Sequence, residues 1–169
     1  KLDITFNGCK QLRQLDIESW NAPNLKALPN AFGNCPNLDL SILRDWDMSN
    51  VEYLNGAFSG NLGTDFSWME NWNIGSKLKD ISNMINNAIN LESLDLSRWN
   101  CPNIVNMASA FYNCKKLKTL NISGIGNIGM IEEPDNNSET LSNFFGYCIT
   151  LRDMILGDNF TISSDKQLN

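Results

Sequence analysis

The chain has 169 residues, 42% of them hydrophobic and 19% charged, with a formal net charge of −6 and no histidine. That is the composition of a globular domain, read here as a single domain over 1–169, and the lack of a basic excess argues against nucleic acid or an anionic membrane surface as partner. No apolar run approaches the roughly 20 residues of a membrane-spanning helix, no signal peptide is evident, and a chain without histidine lacks the commonest general base and the commonest metal ligand.

From its first residues the chain repeats itself. Phe6, Phe32, Phe58, Ile85, Phe111 and Phe145 each open a unit, at a period of 26 or 27 residues that lengthens before the last. Trp20, Trp46, Trp72 and Trp99 follow the opening residue by the same interval in the first four units, so no gap is hidden there. A fixed period of this size means one supersecondary unit stacked on copies of itself. Leu2 precedes Phe6 as Leu28 precedes Phe32. The chain is therefore expected to begin in mid-repeat, as a fragment of a longer protein or a mature form.

Taken in chain order, each unit has two halves. The first reads L-x-x-L-x-L, as in Leu12, Leu15 and Ile17, in Leu91, Leu94 and Leu96, and in Leu117, Leu120 and Ile122. Alternation of that kind predicts a short strand with one buried face. The second half places apolar residues at i, i+3 and i+7: Leu25, Leu28 and Phe32; Val51, Leu54 and Phe58; Ile104, Met107 and Phe111. That spacing predicts one face of a short helix. Asn24, Ser49 or Asn50, and Asn103 are placed to cap it, and Gly33 and Gly60 to end it. A strand and a short helix per repeat is the leucine-rich-repeat arrangement. The predicted fold is an α/β solenoid of about six units, each with one short parallel strand and one short helix. The four periodic tryptophans read as core packing.

Between the buried strand positions, alternate residues should face outward. In units two and three those positions hold Leu40, Ile42, Phe66 and Trp68. An apolar cluster on a sheet face is a binding signal. The competing reading is a slip of one residue, which turns the cluster inward and the serines Ser41 and Ser67 outward. Both readings stay open on sequence alone. One column further on, Arg44 lies between Glu18 and Glu70, a predicted ion-pair ladder; Asp95 shares the column of Trp68. The candidate ligand-binding residues are thus Leu40, Ile42, Phe66, Trp68, Arg44 and Asp95.

Cys9, Cys35, Cys114 and Cys148 all fall three residues after a unit's opening residue, a position shared with Asn61 and Ala88. They read as a buried small-residue column of free thiols, with neighbouring rungs close enough to permit a disulfide. Cys101 lies off the column. Unit five carries Ile125 where the tryptophan should be and an insertion, read as an exposed acidic loop over about 131–139. Its carboxylates do not match the spacing of a calcium loop. Asn121, Asn136 and Asn159 sit in N-glycosylation patterns.

The segment Leu91–Ser123, LESLDLSRWNCPNIVNMASAFYNCKKLKTLNIS, resembles the BspA-like leucine-rich repeats, the 26-residue repeat of bacterial surface proteins, over roughly residues 6–160. The resemblance implies a secreted or surface-anchored protein acting in adhesion and protein binding, with no catalytic residues and no cofactor. The expected function is an extracellular or cell-surface binding module using the sheet face, with a host or neighbouring-cell surface protein or glycan as partner and self-association through its apolar ends. A structural spacer displaying other domains is the alternative. A carbohydrate-active enzyme comes a distant third, because Asp16 and Asp95 would stand about 14 Å apart at normal strand spacing, beyond the roughly 5–9.5 Å that glycoside hydrolysis requires.

Overall fold

The structure is a computed structural model that describes residues 1–17, 20, 23–126 and 143–158. It contains three strands, β1 (Ser93–Asp95), β2 (Thr119–Asn121) and β3 (Asp153–Ile155), and two short 3-10 helices, Leu40–Leu43 and Ser67–Met69. The strands form one parallel sheet in the order β1-β2-β3. Leu94 pairs with Leu120 and Leu120 with Met154, so equivalent residues of successive units lie in register. A second parallel strip of single bridges joins Ala27, Tyr53, Asp80 and Asn106.

Most of the contact between units is made by backbone elsewhere in the repeat. The N–H groups of Leu28, Asn30, Phe32 and Asn34 donate to the carbonyls of Tyr53, Asn55, Ala57 and Ser59, at 2.6–3.0 Å. Leu2, Ile4, Phe6 and Gly8 do the same to Ala27, Pro29, Ala31 and Gly33; Leu54, Gly56, Phe58 and Gly60 to Asp80, Ser82, Met84 and Asn86; Ile81, Asn83, Ile85 and Asn87 to Asn106, Ala108, Ala110 and Tyr112. The residues between them turn back on themselves, Ala31 N–H to Leu28 and Gly33 N–H to Asn30. Each of these segments is a run of turns in which every second N–H leaves for the next unit.

This overturns the predicted helices. Among the described residues there is no α-helix, and 25–32, 51–58 and 104–111 lie in the turn runs. A helix needs every N–H for its own i−4 carbonyl, and half of these are committed to the neighbour. Left-handed backbone completes the difference. Asn30, Gly56, Asn83 and Ser109 share one column at positive φ, and Asn34, Gly60, Asn87 and Asn113 another. Asn and Gly are the residues that enter this region at least cost. The apolar spacing was still read correctly as burial: Leu25, Leu28, Phe32, Val51, Leu54, Phe58, Ile104, Met107 and Phe111 are all core. The expected caps act between units instead. The Asn50 and Asn103 amides donate to the carbonyls of Pro23 and Ser76, one unit earlier, at 3.0 and 2.8 Å.

The opening aromatics stack, Phe6 on Phe32 at 5.4 Å and Phe32 on Phe58 at 6.2 Å between ring centroids. Of the periodic tryptophans, Trp46, Trp72 and Trp99 are buried, and Trp72 and Trp99 stack at 6.3 Å. The indole N–H of Trp72 donates to the Leu43 carbonyl and that of Trp99 to Met69, each one unit back. Trp20 departs from the core reading at 43% exposure, since no earlier unit among the described residues covers it.

The cysteine column is more than small. The thiol of Cys35 donates to the Phe6 carbonyl at 2.9 Å, Cys148 to Phe111 at 3.0 Å and Cys114 to Ile85 at 3.5 Å. In unit three the Asn61 amide donates to Phe32 at 2.9 Å. In units two, three, five and six the column therefore supplies a donor to the opening residue's carbonyl one unit earlier, and Ala88 of unit four is the exception. All five cysteines are free thiols, with Cys35, Cys101 and Cys114 buried.

The left-handed columns give a direct test. Gly56 has φ +63°, and a Cβ there would run into the Asn30 side chain. A left-handed backbone costs a residue with a Cβ roughly 1–2 kcal/mol, so Gly56→Ala should lower the denaturant midpoint by at least that much. Adding Asn30→Gly should restore the steric part of the loss and leave the backbone part.

Candidate functional site

Units two and three break the strand pattern, and the cause is local. Both read Asp-x-Ser: Asp39-Leu40-Ser41 and Asp65-Phe66-Ser67. The Asp39 carboxylate accepts the Ser41 N–H at 2.9 Å, and Asp65 accepts that of Ser67 at 2.7 Å. Such a bond turns the chain. In units four and five the same turn comes three positions later, Asp95 accepting from Ser97 and Asn121 from Ser123, after the strand has run its course. Turned early, units two and three wind into 3-10 helices, in which residues i and i+3 share a face. Leu40 and Leu43 face inward together. So do Phe66, which caps the second helix, and Met69.

The predicted exposed patch is corrected accordingly. Trp68 is 3% exposed, Phe66 2% and Leu40 6%; Ile42 is half-buried. Trp68 meets Phe58 edge-on at 5.3 Å and Trp72 at 5.1 Å, and its indole N–H donates to the Asp65 carbonyl. The inward alternative holds for Leu40, Phe66 and Trp68, with Ser67 exposed, and it is a 3-10 turn rather than a one-residue slip of a strand that puts them there. Leu40, Phe66 and Trp68 are core residues that floor a groove of about 210 Å³ rimmed by Asp39, Ser41 and Asp65. The predicted Arg44–Glu70 ion pair also does not form. Arg44 is exposed, and the Glu70 carboxylate instead accepts the Asp95 N–H at 3.0 Å. Glu18 and the loop 131–139 lie outside the described residues, as do Asn136 and Asn159.

What remains outward is concentrated on units four to six. Ser93, Thr119 and Asp153 form one in-register row across the sheet, and Asp95, Asn121 and Ile155 a second. All six are exposed or half-buried, and together with Glu70 they line a groove of about 230 Å³. Neighbouring members of a row stand about 4.8 Å apart. Asp95 is thus the sequence-predicted residue that lies in this groove, away from Leu40, Phe66 and Trp68. Partial burial opposes its ionisation, yet hydrogen bonds from Ser97 and Asn121 hold its carboxyl below the usual carboxylate range. Asn121 is committed as well, its amide oxygen accepting both the N–H and the hydroxyl of Ser123. The alternation of outward positions already puts Ser93, Thr119 and Asp153 in the column beside Asp95, Asn121 and Ile155, but of these six the sequence singles out Asp95 alone as a candidate ligand residue.

The family described as "Mycoplasma protein of unknown function, DUF285" matches residues 1–125. No curated protein matches. Among solved structures, a leucine-rich cell surface protein from Faecalibacterium prausnitzii A2-165 is similar at 17% identity and a TM-score of 0.43, over 80% of this chain and 32% of its own. This chain therefore spans about a third of that protein's length. An internalin C2 from Listeria monocytogenes aligns at 17% identity and a TM-score of 0.22, over 90% of this chain and 74% of its own.

Two outcomes follow from the turned units. With four of the five tryptophans buried, a soluble quencher should reach Trp20 and little else, and Trp20→Phe should remove most of the quenchable emission. Trp68→Ala should cost about 3–5 kcal/mol in chemical denaturation, as expected for a large buried aromatic. The acid side of the stability profile is set partly by Asp39 and Asp65, whose carboxyls the Ser41 and Ser67 bonds hold below the ordinary value of 3.8. A depressed folded-state value means stability that is present above the ordinary value and is lost as pH falls through the folded one. Asp39→Asn with Asp65→Asn keeps an acceptor oxygen and removes the titration. The double variant should therefore lose less stability than the parent between pH 7 and about 3.

Proposed function

We propose that this chain, which belongs to the DUF285 family, is a BspA-like leucine-rich-repeat solenoid serving as an extracellular or cell-surface binding module without catalytic activity. Its ligand surface is the strand face around Asp95. What carries this reading is the in-register grid of six outward side chains, anchored to the core beneath its first two strands by Leu94 and Leu120. Polar groups spaced at regular intervals on a rigid sheet suit recognition of another polar surface, where preorganisation reduces the entropy lost on binding. The groove has no aromatic ring among its lining residues. That favours a protein of a host or neighbouring cell over a sugar, which would stack on such a ring.

A spacer role is the second reading, and one observation supports it. An apolar cluster on the sheet face would argue against a spacer, and Leu40, Phe66 and Trp68 are instead buried. The two readings separate in a binding assay of the purified chain against immobilised fibronectin, laminin and collagen and a glycan array. A binding module gives a saturable signal that Asp95→Lys with Asp153→Lys weakens at least tenfold while the circular dichroism stays unchanged. A signal that survives both substitutions excludes this face, and no signal on any surface favours the spacer.

A further inference from the structure

Cys114 and Cys148 occupy one column on successive units, and each thiol reaches back to the preceding unit, Cys114 to the Ile85 carbonyl and Cys148 to that of Phe111. The Cys148 thiol donates at 3.0 Å to the Phe111 carbonyl, which also receives the Cys114 N–H at 3.3 Å. The Cys148 side chain therefore leans along the stacking direction onto the turn that carries Cys114. The backbone of the two units pairs here, with the Asn113 N–H donating to the Gly146 carbonyl at 2.7 Å. Stacked backbone segments lie roughly 4.7–4.9 Å apart, inside the roughly 4.4–6.8 Å between α-carbons that a disulfide bridges. Units three and four carry Asn61 and Ala88 at this column, so no such pair exists in the middle of the chain.

The geometry points to a modification site: Cys114 and Cys148 are a thiol pair that closes to an intramolecular disulfide on reaction with a small-molecule disulfide, tying the turn before β2 to the turn before β3. The two thiols are unequal in the way the reaction needs. Cys148 is half-buried and Cys114 fully buried. The neighbouring Cys114 favours the Cys148 thiolate and lowers its pKa, whereas the neighbouring Cys148 and burial raise Cys114. Cys148 is thus the attacking sulfur. Its thiolate attacks one sulfur of R–S–S–R, forming a mixed disulfide and releasing one RS⁻, which takes up a proton. Cys114 then gives its proton to solvent, and its thiolate attacks the Cys148 sulfur, forming the Cys114–Cys148 bond and expelling the second RS⁻. Two protein thiols are oxidised and one small disulfide is reduced to two thiols.

The test treats the folded chain with oxidised glutathione, blocks free thiols with N-ethylmaleimide and maps peptides without reduction. The expected product is a Cys114–Cys148 cross-linked peptide, two hydrogens lighter than the separate pair. Cys114→Ala places at this column the residue that unit four already carries, so the fold should persist, as circular dichroism checks. In that variant Cys148 should accumulate as the glutathione mixed disulfide, while in Cys148→Ser the buried Cys114 should stay unmodified. The proposal is overturned if the parent chain yields both cysteines alkylated, or Cys148 held as a stable mixed disulfide with Cys114 free.

Discussion

Each unit hands alternate backbone N–H groups to the carbonyls of the next, and the rest of the structure depends on that allocation. Four such bonds cross each junction between the first five units, each contributing roughly 0.5–1.5 kcal/mol net. They can form only if the chain turns back between them, which requires two left-handed residues per unit. Asn30 and Asn34, Gly56 and Gly60, and Asn83 and Asn87 fill those positions. The Asn-rich, Gly-containing segments that punctuate the sequence are thus part of the stacking interface. The stacked aromatics at Phe6, Phe32 and Phe58 follow from it, because fixed backbone spacing brings equivalent rings to 5.4–6.2 Å.

A second constraint decides what the other half of each unit becomes. The Asp-x-Ser turn acts as a stop whose position is adjustable. Placed at Asp95 and Asn121, it ends a three-residue strand; placed at Asp39 and Asp65, it prevents one. The early turn has a consequence in unit one, where Leu12, Leu15 and Ile17 alternate as a strand should. Their neighbour in unit two is a 3-10 helix, and among the described residues the one backbone bond reaching across is from Asp39 N–H to the Arg13 carbonyl. A strand needs a partner as much as a pattern, and unit one has none among the described residues.

The period, the register of the units and the buried columns were legible in the sequence because they depend only on spacing. The helices were not, because Leu25, Leu28 and Phe32 satisfy the spacing of a helical face and of a turn run equally well. What distinguishes the two is the fate of the N–H groups between them, and the sign of it in the sequence is the recurrence of Asn and Gly at two fixed positions. Trp68 stayed open between an outward and an inward place for a different reason. The outward reading carries the strand pattern of units one, four and five onto unit three, and the Asp-x-Ser triplet that cancels it begins three residues before Trp68. The cysteine column was read by size, whereas the presence of Asn61 in it signals a hydrogen-bond donor.

These constraints also bound the strand face. On the unit-three side, β1 is an edge strand, and edges offer unpaired N–H groups. Here the Glu70 carboxylate takes the Asp95 N–H at 3.0 Å, so a side chain occupies a place that a strand from unit three would have filled. Extending the sheet in that direction would require both displacing Glu70 and unwinding Ser67–Met69, with exposure of Phe66 and Trp68 from the core. The grid from Asp95 to Ile155 therefore cannot spread toward the N-terminus. A ligand that needs a longer surface must reach across the 3-10 units, where the rim carries Asp39, Ser41 and Asp65. The two grooves are separate surfaces, divided by the same shift of a turn that buried the tryptophan.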